Sequence, residues 1–244
     1  MKKYLIIVCF ALAYAGCSKD EYGGGNLSND LPTGASAHDF LSAATYSTLT
    51  IQVQYSPGMQ LQPQSINNLE AFLQAHLNKP DGINIIQVQA PSINKSQVTL
   101  EDVSNFEQSN RTLFTTSSNI GVYISAIDAD YTSPGVGGVA YKNTSMVLLE
   151  KTIQASSGGL GQSSRVMVET GILEHEFGHL LGLVNNGAAM VVPHSDDAHK
   201  PHCNNKNCLM YYEMETSGFV NQLDGGIPQL DANCENDLKA NGGK

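Results

Sequence analysis

The stretch that most constrains this chain is Glu174–Asn185, which reads EHEFGHLLGLVN. Within it, His175, Glu176 and His179 form an H-E-x-x-H pattern. Residues four apart lie on the same face of a helix, so a helix here points two imidazoles at one zinc ion. Glu176 would then lie beside the ion and act on a metal-bound water. Apolar residues at helical spacing on the other face indicate burial against a core: Leu173, Phe177, Leu180 and Val184.

A bare H-E-x-x-H is short, and an ordinary amphipathic helix with two polar-face histidines would also contain it. Two further features favour a metal site. Gly182 follows the second histidine by three residues, and histidines and cysteines cluster downstream. A catalytic zinc normally takes three protein ligands and leaves one position for water. The chain must therefore supply one more ligand after His179.

The N-terminus predicts export and a lipid anchor. Residues 1–16 join Lys2 and Lys3 to an apolar run, the pattern of a secretory signal peptide, and this run is too short to span a bilayer. Cys17 stands where a bacterial lipoprotein carries its acylated cysteine, and Ser18–Glu21 resembles the export signal of Bacteroidetes-type surface lipoproteins. We expect an outer-membrane lipoprotein exposed at the cell surface; release as a soluble secreted protein is the alternative.

The charge balance argues against nucleic acid as a partner. The chain carries 13 basic and 23 acidic residues, a net charge of −10, and loss of the two signal-peptide lysines makes it more acidic still. Phosphate backbones are bound by basic surfaces. The expected partners are a peptide or protein substrate and, through the lipid, the membrane.

Hydrophobic patterning predicts an α+β fold whose upper lobe is α/β with a twisted mixed sheet. Strands are predicted at Thr48–Tyr55 (half-buried, because it alternates), Ile83–Ala90, Ile120–Asp128 and Ser145–Lys151. Helices are predicted at Ser36–Tyr46, Pro63–Leu77, Thr99–Arg111 with a capping box, and from Ser163 or Ser164 to Leu183. After the signal peptide (1–16), the lipidated cysteine and a flexible glycine-rich tether occupy 17–35. One domain spans 36–244, with an upper lobe 36–185 and a small irregular lower lobe 186–244.

With Gly182 included, the motif resembles the signature of metzincin zinc peptidases, H-E-x-x-H-x-x-G-x-x-H followed by a methionine turn. The resemblance is strongest to archaemetzincins, in which the third histidine precedes C-x4-C-x-M and a later C-x-x-C. Residues 202–210, HCNNKNCLM, reproduce H-C-x4-C-x-M. The resemblance implies a metzincin-like fold: a sheet with a backing helix, the active-site helix, and a small C-terminal lobe with Met210 in the methionine turn.

The chain departs from this signature at the third ligand, where it has Asn185, a neutral and weakly donating residue. His202 is the first choice for the third zinc ligand because it keeps its place before the cysteine. His194 and His199, in the inserted loop, are the alternatives. A thermolysin-like enzyme would instead take a glutamate from a second helix, and the downstream glutamates are Glu213, Glu215 and Glu235.

Three cysteines remain once the signal peptide and Cys17 are set aside. By the resemblance, Cys203, Cys208 and Cys234 are ligands of a second, structural zinc, with Asp231 in place of the fourth cysteine. The competing prediction is a disulfide, Cys203–Cys208 or Cys208–Cys234, because an exported chain meets oxidising conditions.

Together these features predict a zinc-dependent endopeptidase. Zinc lowers the pKa of its bound water to about 7, and Glu176 would take the proton as general base and pass it to the leaving amine. By the resemblance to metzincins, Tyr212, two residues after Met210, would help to hold the oxyanion. By the same resemblance, strand Ser145–Lys151 borders the cleft, and an extended substrate would pair with its edge. The alternative is a catalytically silent surface lipoprotein that uses the fold for binding.

Overall fold

The computed structural model describes residues 28–220, 223 and 226–244. The predicted signal peptide and Cys17 lie outside these residues. The helices and strands follow in chain order as α1 Ala37–Leu41, β1 Thr48–Tyr55, α2 Pro63–His76, β2 Ile83–Gln89, β3 Gln97–Val98, α3 Leu100–Asn110, β4 Asn119–Ala126, β5 Asp130–Tyr131, β6 Gly138–Lys142, β7 Ser145–Leu148, α4 Glu150–Ala155, α5 Arg165–Leu180, the 3-10 helix Tyr212–Glu215, α6 Ser217–Val220 and α7 Ala232–Ala240.

The main sheet has five strands in the order β2-β1-β4-β7-β6. Four of them are parallel, and β6 pairs antiparallel with β7 at one edge. The short strands β3 and β5 form a separate parallel pair. The predicted class, a mixed sheet with helices, is confirmed.

Apolar side chains fill both faces of this sheet. Alternate residues of a strand point to opposite faces, so Met146 and Leu148 of β7 join the larger core, which also contains apolar residues of α2 and α5. Val147, between them, joins a smaller cluster with Val103 of α3. Helix α5, which carries the H-E-x-x-H motif, and helix α3 therefore cover opposite faces of the sheet.

Strand β1 corrects the prediction of a half-buried strand. Its polar side chains Gln52 and Gln54 are buried. Gln52 accepts hydrogen bonds from the backbone N–H groups of Thr112 and Leu113 at 3.1 and 3.0 Å, and Gln54 donates to the carbonyl of Asn110 at 2.6 Å. The alternation of apolar and polar residues thus marks a second buried face, where backbone groups and the hydroxyls of Thr112 and Tyr123 satisfy the amides.

Helix boundaries mostly agree with the predicted ones, and the capping box at Thr99 is present. The predicted helix Ser36–Tyr46 is shorter, because α1 ends at Leu41. The buried amine of Lys79 donates to three carbonyls in this region, including those of Ser42 and Tyr46, at 2.6 Å each. The chain therefore turns around this amine instead of continuing as a helix.

The edge of the sheet differs from the prediction. Strand Ser145–Lys151 ends at Leu148 and passes into α4, and β7 has hydrogen-bonded neighbours on both sides. The edge strand is β6, which begins at Gly138 and was not among the predicted strands. Strand β7 therefore has no free edge, and the outer edge on this side of the sheet belongs to β6. Among the described residues, no helix is both long and apolar enough to cross a membrane.

Candidate metal centre

Helix α5 presents the histidine pair. Ser164 caps its N-terminus by accepting from the backbone N–H of Met167 at 3.2 Å, which fixes where the helix begins. His175 and His179 are buried one turn apart, and their Nε2 atoms are 3.2 Å from each other. The Nδ1–H of His175 donates to the carbonyl of Leu209 at 2.7 Å, which leaves its Nε2 lone pair facing the neighbouring ring.

His202 completes the group. Its ring centroid lies 5.3 Å from that of His175 and 5.0 Å from that of His179. Its Nδ1–H donates to the carbonyl of His199 at 2.8 Å, so its Nε2 also faces inward. Ligand atoms of the three histidines and of Glu215 all lie within 4.8 Å of one another. The structure thus brings together the three histidines chosen from the sequence.

Asn185 occupies the third-ligand position of the signature, but it lies where the chain leaves helix α5. Helix α5 ends at Leu180, and Gly182, Val184 and Asn185 all have positive φ values, of 74°, 57° and 62°. A Cβ at Gly182 would lie 2.5 Å from the backbone nitrogen of Ala188, so only glycine fits. The chain turns away here, and Asn185 is exposed.

The histidine geometry fits a zinc-sized cation. Burial lowers the pKa of both His175 and His179, so their imidazoles are neutral, as metal ligands must be. With the proton of His179 on Nδ1, which has no hydrogen-bond partner among the described residues, the Nε2 lone pairs of both histidines would face a cation bound between them. A tetrahedron with Zn–N bonds of 2.0–2.1 Å has edges of about 3.3 Å, close to the 3.2 Å between the two Nε2 atoms.

Glu176 lies between this group and the edge strand. Its Oε2 accepts from the backbone N–H of Ala140 at 2.7 Å, while its Oε1 is buried and has no hydrogen-bond partner among the described residues. Burial, and then the charge of Glu215, raise the pKa of Glu176. Gly138 permits the close approach, because a Cβ there would lie 2.8 Å from the Cγ of Glu176.

Met210 packs beneath the helix. It is fully buried, and a Cβ at Gly178 would lie 2.3 Å from its sulfur. Gly178 precedes His179 directly, so this contact sets how closely the chain around Met210 approaches the histidine pair. The same chain segment supplies the Leu209 carbonyl that holds His175.

A cleft of about 250 Å³ opens onto these groups, lined by residues that include Thr33, Ala140, Glu176, His179 and Glu215. Larger depressions of about 470 and 460 Å³ lie elsewhere on the surface. The candidate site is therefore identified by its group of metal-ligand atoms and not by the volume of its cleft. At the edge of β6, the carbonyl of Ala140 accepts from the hydroxyl of Thr33 at 3.3 Å.

The fold of this chain is similar to that of a solved structure. The crystal structure of archaemetzincin from Methanopyrus kandleri matches with a TM-score of 0.50 at 15% sequence identity, over 80% of this chain and 96% of that one. The fold is archaemetzincin-like. No family model matches the sequence, and no curated protein matches it. At this identity the similarity shows the fold alone.

The archaemetzincin-like fold carries a second donor cluster below the first. Ligand atoms of His194, Cys203, Asp231 and Cys234 lie within 4.8 Å of one another, and the sulfur of Cys208 lies 3.6 Å from that of Cys234. All three cysteines are free thiols. A disulfide needs about 2.05 Å between its sulfurs, so this structure contains no disulfide among the three cysteines.

His194 belongs to this second cluster and not to the histidine triad for which it was an alternative. Its Nδ1 lies 3.4 Å from the sulfur of Cys203, and its Nε2–H donates to the fully buried Asp237 at 2.8 Å. Asp231, predicted as the fourth ligand, caps α7 by accepting from the backbone N–H of Cys234 at 3.0 Å. Its other oxygen accepts from the side chain of Asn205 at 3.0 Å and lies 3.4 Å from the sulfur of Cys203.

The side chains of Tyr212 and His199 contact each other, and neither belongs to the group of ligand atoms around the triad. Their rings stack with centroids 3.7 Å apart and planes 5° from parallel. The Tyr212 hydroxyl donates to Glu213 at 3.2 Å, and His199 donates to Asp196 at 2.8 Å. These contacts give no support to the predicted oxyanion role of Tyr212 or to His199 as the third ligand.

Of the three downstream glutamates, Glu215 alone joins the histidine group. Its Oε1 lies 2.9 Å from the Nε2 of His202 and 3.8 Å from that of His179, whereas Glu235 pairs with His76. Burial raises the pKa of Glu215, but its contacts with the two histidines outweigh burial and lower it overall. Glu215 therefore adds to the three histidines and does not replace one of them. No motif spacing identifies it from sequence.

Proposed function

We propose that the chain is a zinc-dependent endopeptidase. The observation that carries the proposal is the convergence of His175, His179 and His202 beside the buried carboxylate of Glu176, in a cleft bordered by an edge strand. The archaemetzincin-like fold agrees with it. The alternative, a silent protein that only binds, gives no reason for a carboxylate with an unpartnered oxygen beside a metal-ligand set.

In this proposal Glu176 is the general base and later the general acid. Zinc, when bound to the three histidines, would lower the pKa of its water to about 7 and polarise the scissile carbonyl. The Ala140 N–H holds one oxygen of Glu176, so the other is oriented to receive a proton and return it to the leaving amine. Strand β6 is the proposed wall against which an extended peptide lies.

The test replaces Glu176 with glutamine, which keeps the shape but cannot accept the proton. Cleavage of a fluorogenic peptide library should fall at least about a hundredfold, since a positioned base is typically worth a factor of 10²–10⁴. Zinc content, measured by mass spectrometry, should not change. Glu101→Gln, on an exposed residue of α3, is the matched control. Unchanged cleavage in Glu176→Gln would contradict the mechanism, and zinc-loaded wild type that cleaves no peptide would favour the silent alternative.

The proposal includes a second, structural zinc bound by His194, Cys203, Cys208 and Cys234. Zn–S bonds of 2.3 Å imply edges of about 3.8 Å between sulfurs and about 3.6 Å between sulfur and nitrogen. The 3.6 Å and 3.4 Å separations are close to these values. Asp237 would orient His194, as a carboxylate commonly orients a metal-bound histidine.

The second site predicts a change in metal stoichiometry. Cys208→Ser and His194→Gln should each reduce bound zinc from two ions per chain to one, whereas Asp231→Asn should keep both. Wild-type protein that binds a single zinc after reduction and reloading would refute the second site.

Localisation rests on the sequence. We propose that the protein is exported and anchored through acylated Cys17 to the outer membrane, where it acts on peptides or proteins outside the cytoplasm. Cys17→Ala should move the protein from the membrane fraction to the soluble fraction and abolish incorporation of a labelled fatty acid. Fatty-acid labelling that persists in this variant would exclude Cys17 as the acceptor.

A further inference from the structure

The carboxylate of Glu215 is fixed at the mouth of the histidine triad. The residue ends the 3-10 helix Tyr212–Glu215, and the preceding Met214 is fully buried. The Glu215 carbonyl accepts from the backbone N–H of Gly137 at 2.8 Å, and Thr216 pairs with Val136. These contacts attach the backbone of Glu215 to the start of β6, so its side chain faces the cleft.

Three of the six separations among the four donor atoms can be compared with those of one coordination shell. The Oε1 of Glu215 lies 2.9 Å from the Nε2 of His202 and 3.8 Å from that of His179, and the two α5 histidines are 3.2 Å apart. All three values lie around the edge of about 3.3 Å that a tetrahedral zinc with bonds of 2.0–2.1 Å requires. A surface ion pair has no reason to match this geometry on two histidines at once.

The His202 contact is also poorly arranged as a hydrogen bond. The Nε2 of His202 is buried and lacks a hydrogen-bond partner of acceptable geometry among the described residues, although the carboxylate oxygen is 2.9 Å away. A cation bound between the two atoms would satisfy both of them, as it does for two ligands of one metal ion.

From these observations we infer that Glu215 is the fourth protein ligand of the triad's metal and occupies the position that water must take. This inference rests on the proposed function. A zinc with four protein ligands is closed, in the manner of a structural site. The Glu215 side chain is 36% exposed, so it has room to leave. Peptide cleavage then requires its displacement, and Glu215 limits the rate.

The test compares Glu215→Gln with Glu213→Gln, whose carboxylate contacts the Tyr212 hydroxyl instead. Zinc affinity is measured by competition with a chelator, and the coordination is followed by the absorption spectrum of the Co²⁺-loaded protein. Glu215→Gln should weaken zinc binding at least tenfold and change the Co²⁺ spectrum, because water replaces a charged ligand. Peptide cleavage at saturating zinc should rise several-fold. Glu213→Gln should match wild type in all three measurements.

The outcomes separate this inference from the peptidase proposal. Zinc affinity within twofold of wild type and an unchanged Co²⁺ spectrum would overturn the ligand assignment. Cleavage that falls while metal binding weakens would overturn the rate-limiting role. Weaker binding and a changed spectrum in proteins that never cleave peptide would support the ligand and refute the peptidase. Glu215→Ala, checked for folding by circular dichroism, serves as the second variant and should behave as Glu215→Gln does.

Discussion

Substituting Gly178 with alanine tests how the helix and the Met210 segment together build the site. Alanine in a helix interior is favoured over glycine by about 1 kcal/mol. Here, however, the new Cβ would lie 2.3 Å from the Met210 sulfur and 3.1 Å from its terminal methyl. Overpacking of a buried site costs about 1–3 kcal/mol. Because this overlap is severe, we expect a net loss of about 1–2 kcal/mol in the free energy of unfolding.

Gly171→Ala, in the same helix, is the matched control. Its Cβ would meet the ends of Val220 and Met214 at 3.2 and 3.3 Å, so the gain in helix propensity and the mild crowding should nearly cancel. Urea unfolding of metal-free protein gives both free energies. Zinc affinity should also fall in Gly178→Ala, because Met210 adjoins the Leu209 carbonyl that orients His175.

A double variant completes the test. Met210→Ala alone should cost about 2–5 kcal/mol through the cavity it leaves. Combined with Gly178→Ala it should cost less than the sum of the two, by at least about 1 kcal/mol, because the overlap is gone. If Gly178→Ala alone is as stable as wild type or more so, or if the two changes are additive, Met210 does not press on the helix at this point.

Three further predictions concern the edge strand and the buried charges. Gly138→Ala should displace Glu176, because its Cβ would lie 2.8 Å from the Glu176 Cγ; cleavage should fall at least about tenfold with zinc content unchanged, and normal kinetics would contradict the contact. Arg111→Leu takes away the cation 2.7 Å from Glu107, which is 1% exposed, and leaves Glu107 with Lys142 at 3.1 Å. Because one cation remains, urea unfolding should show a loss of about 3 kcal/mol, the low end for a broken buried pair; a loss below about 1 kcal/mol would contradict it. Burial and a neighbouring glutamate raise the pKa of Glu150 from 4.5 to about 8. The unfolded chain therefore releases this proton at lower pH than the folded chain, and wild-type stability falls as pH rises from about 4.5 to 8. Glu150→Gln removes this loss, so its stability relative to wild type should increase by on the order of 3 kcal/mol across that window; a constant difference would refute the shifted pKa.

The sequence determined the contacts between residues that lie within one or two helical turns of each other. The pair His175 and His179, with Glu176 beside it, follows from the helical repeat alone, because residues four apart share a face wherever the helix lies. The capping box at Thr99 was predicted for the same reason, since both partners lie within one turn. His202 could be chosen because it keeps its place before Cys203, although an inserted loop separates it from the helix.

Only the tertiary structure decided the remaining members of the two clusters. His194 is not a ligand of the triad, because its Nδ1 lies beside the sulfur of Cys203 and its Nε2 is hydrogen-bonded to Asp237. The contact with Asp237 joins residues 43 positions apart in the sequence. Glu215 joined the triad because its backbone is attached to the start of β6. Neither placement has a periodic signal, since loop residues converge through closure of the whole chain and not through a local repeat.

The edge strand β6 also could not be predicted from local sequence. A glycine-rich stretch such as Gly135–Gly138 has the composition of a loop, and nothing local indicates that Gly138 begins β6. Its glycine is required by the approach of Ile172 and Glu176 from α5, which exists only once helix and sheet are packed. The sequence by itself determined the helix that carries the metal-binding pair. Packing decided which side chains surround that pair, because those contacts join segments that share no local geometry.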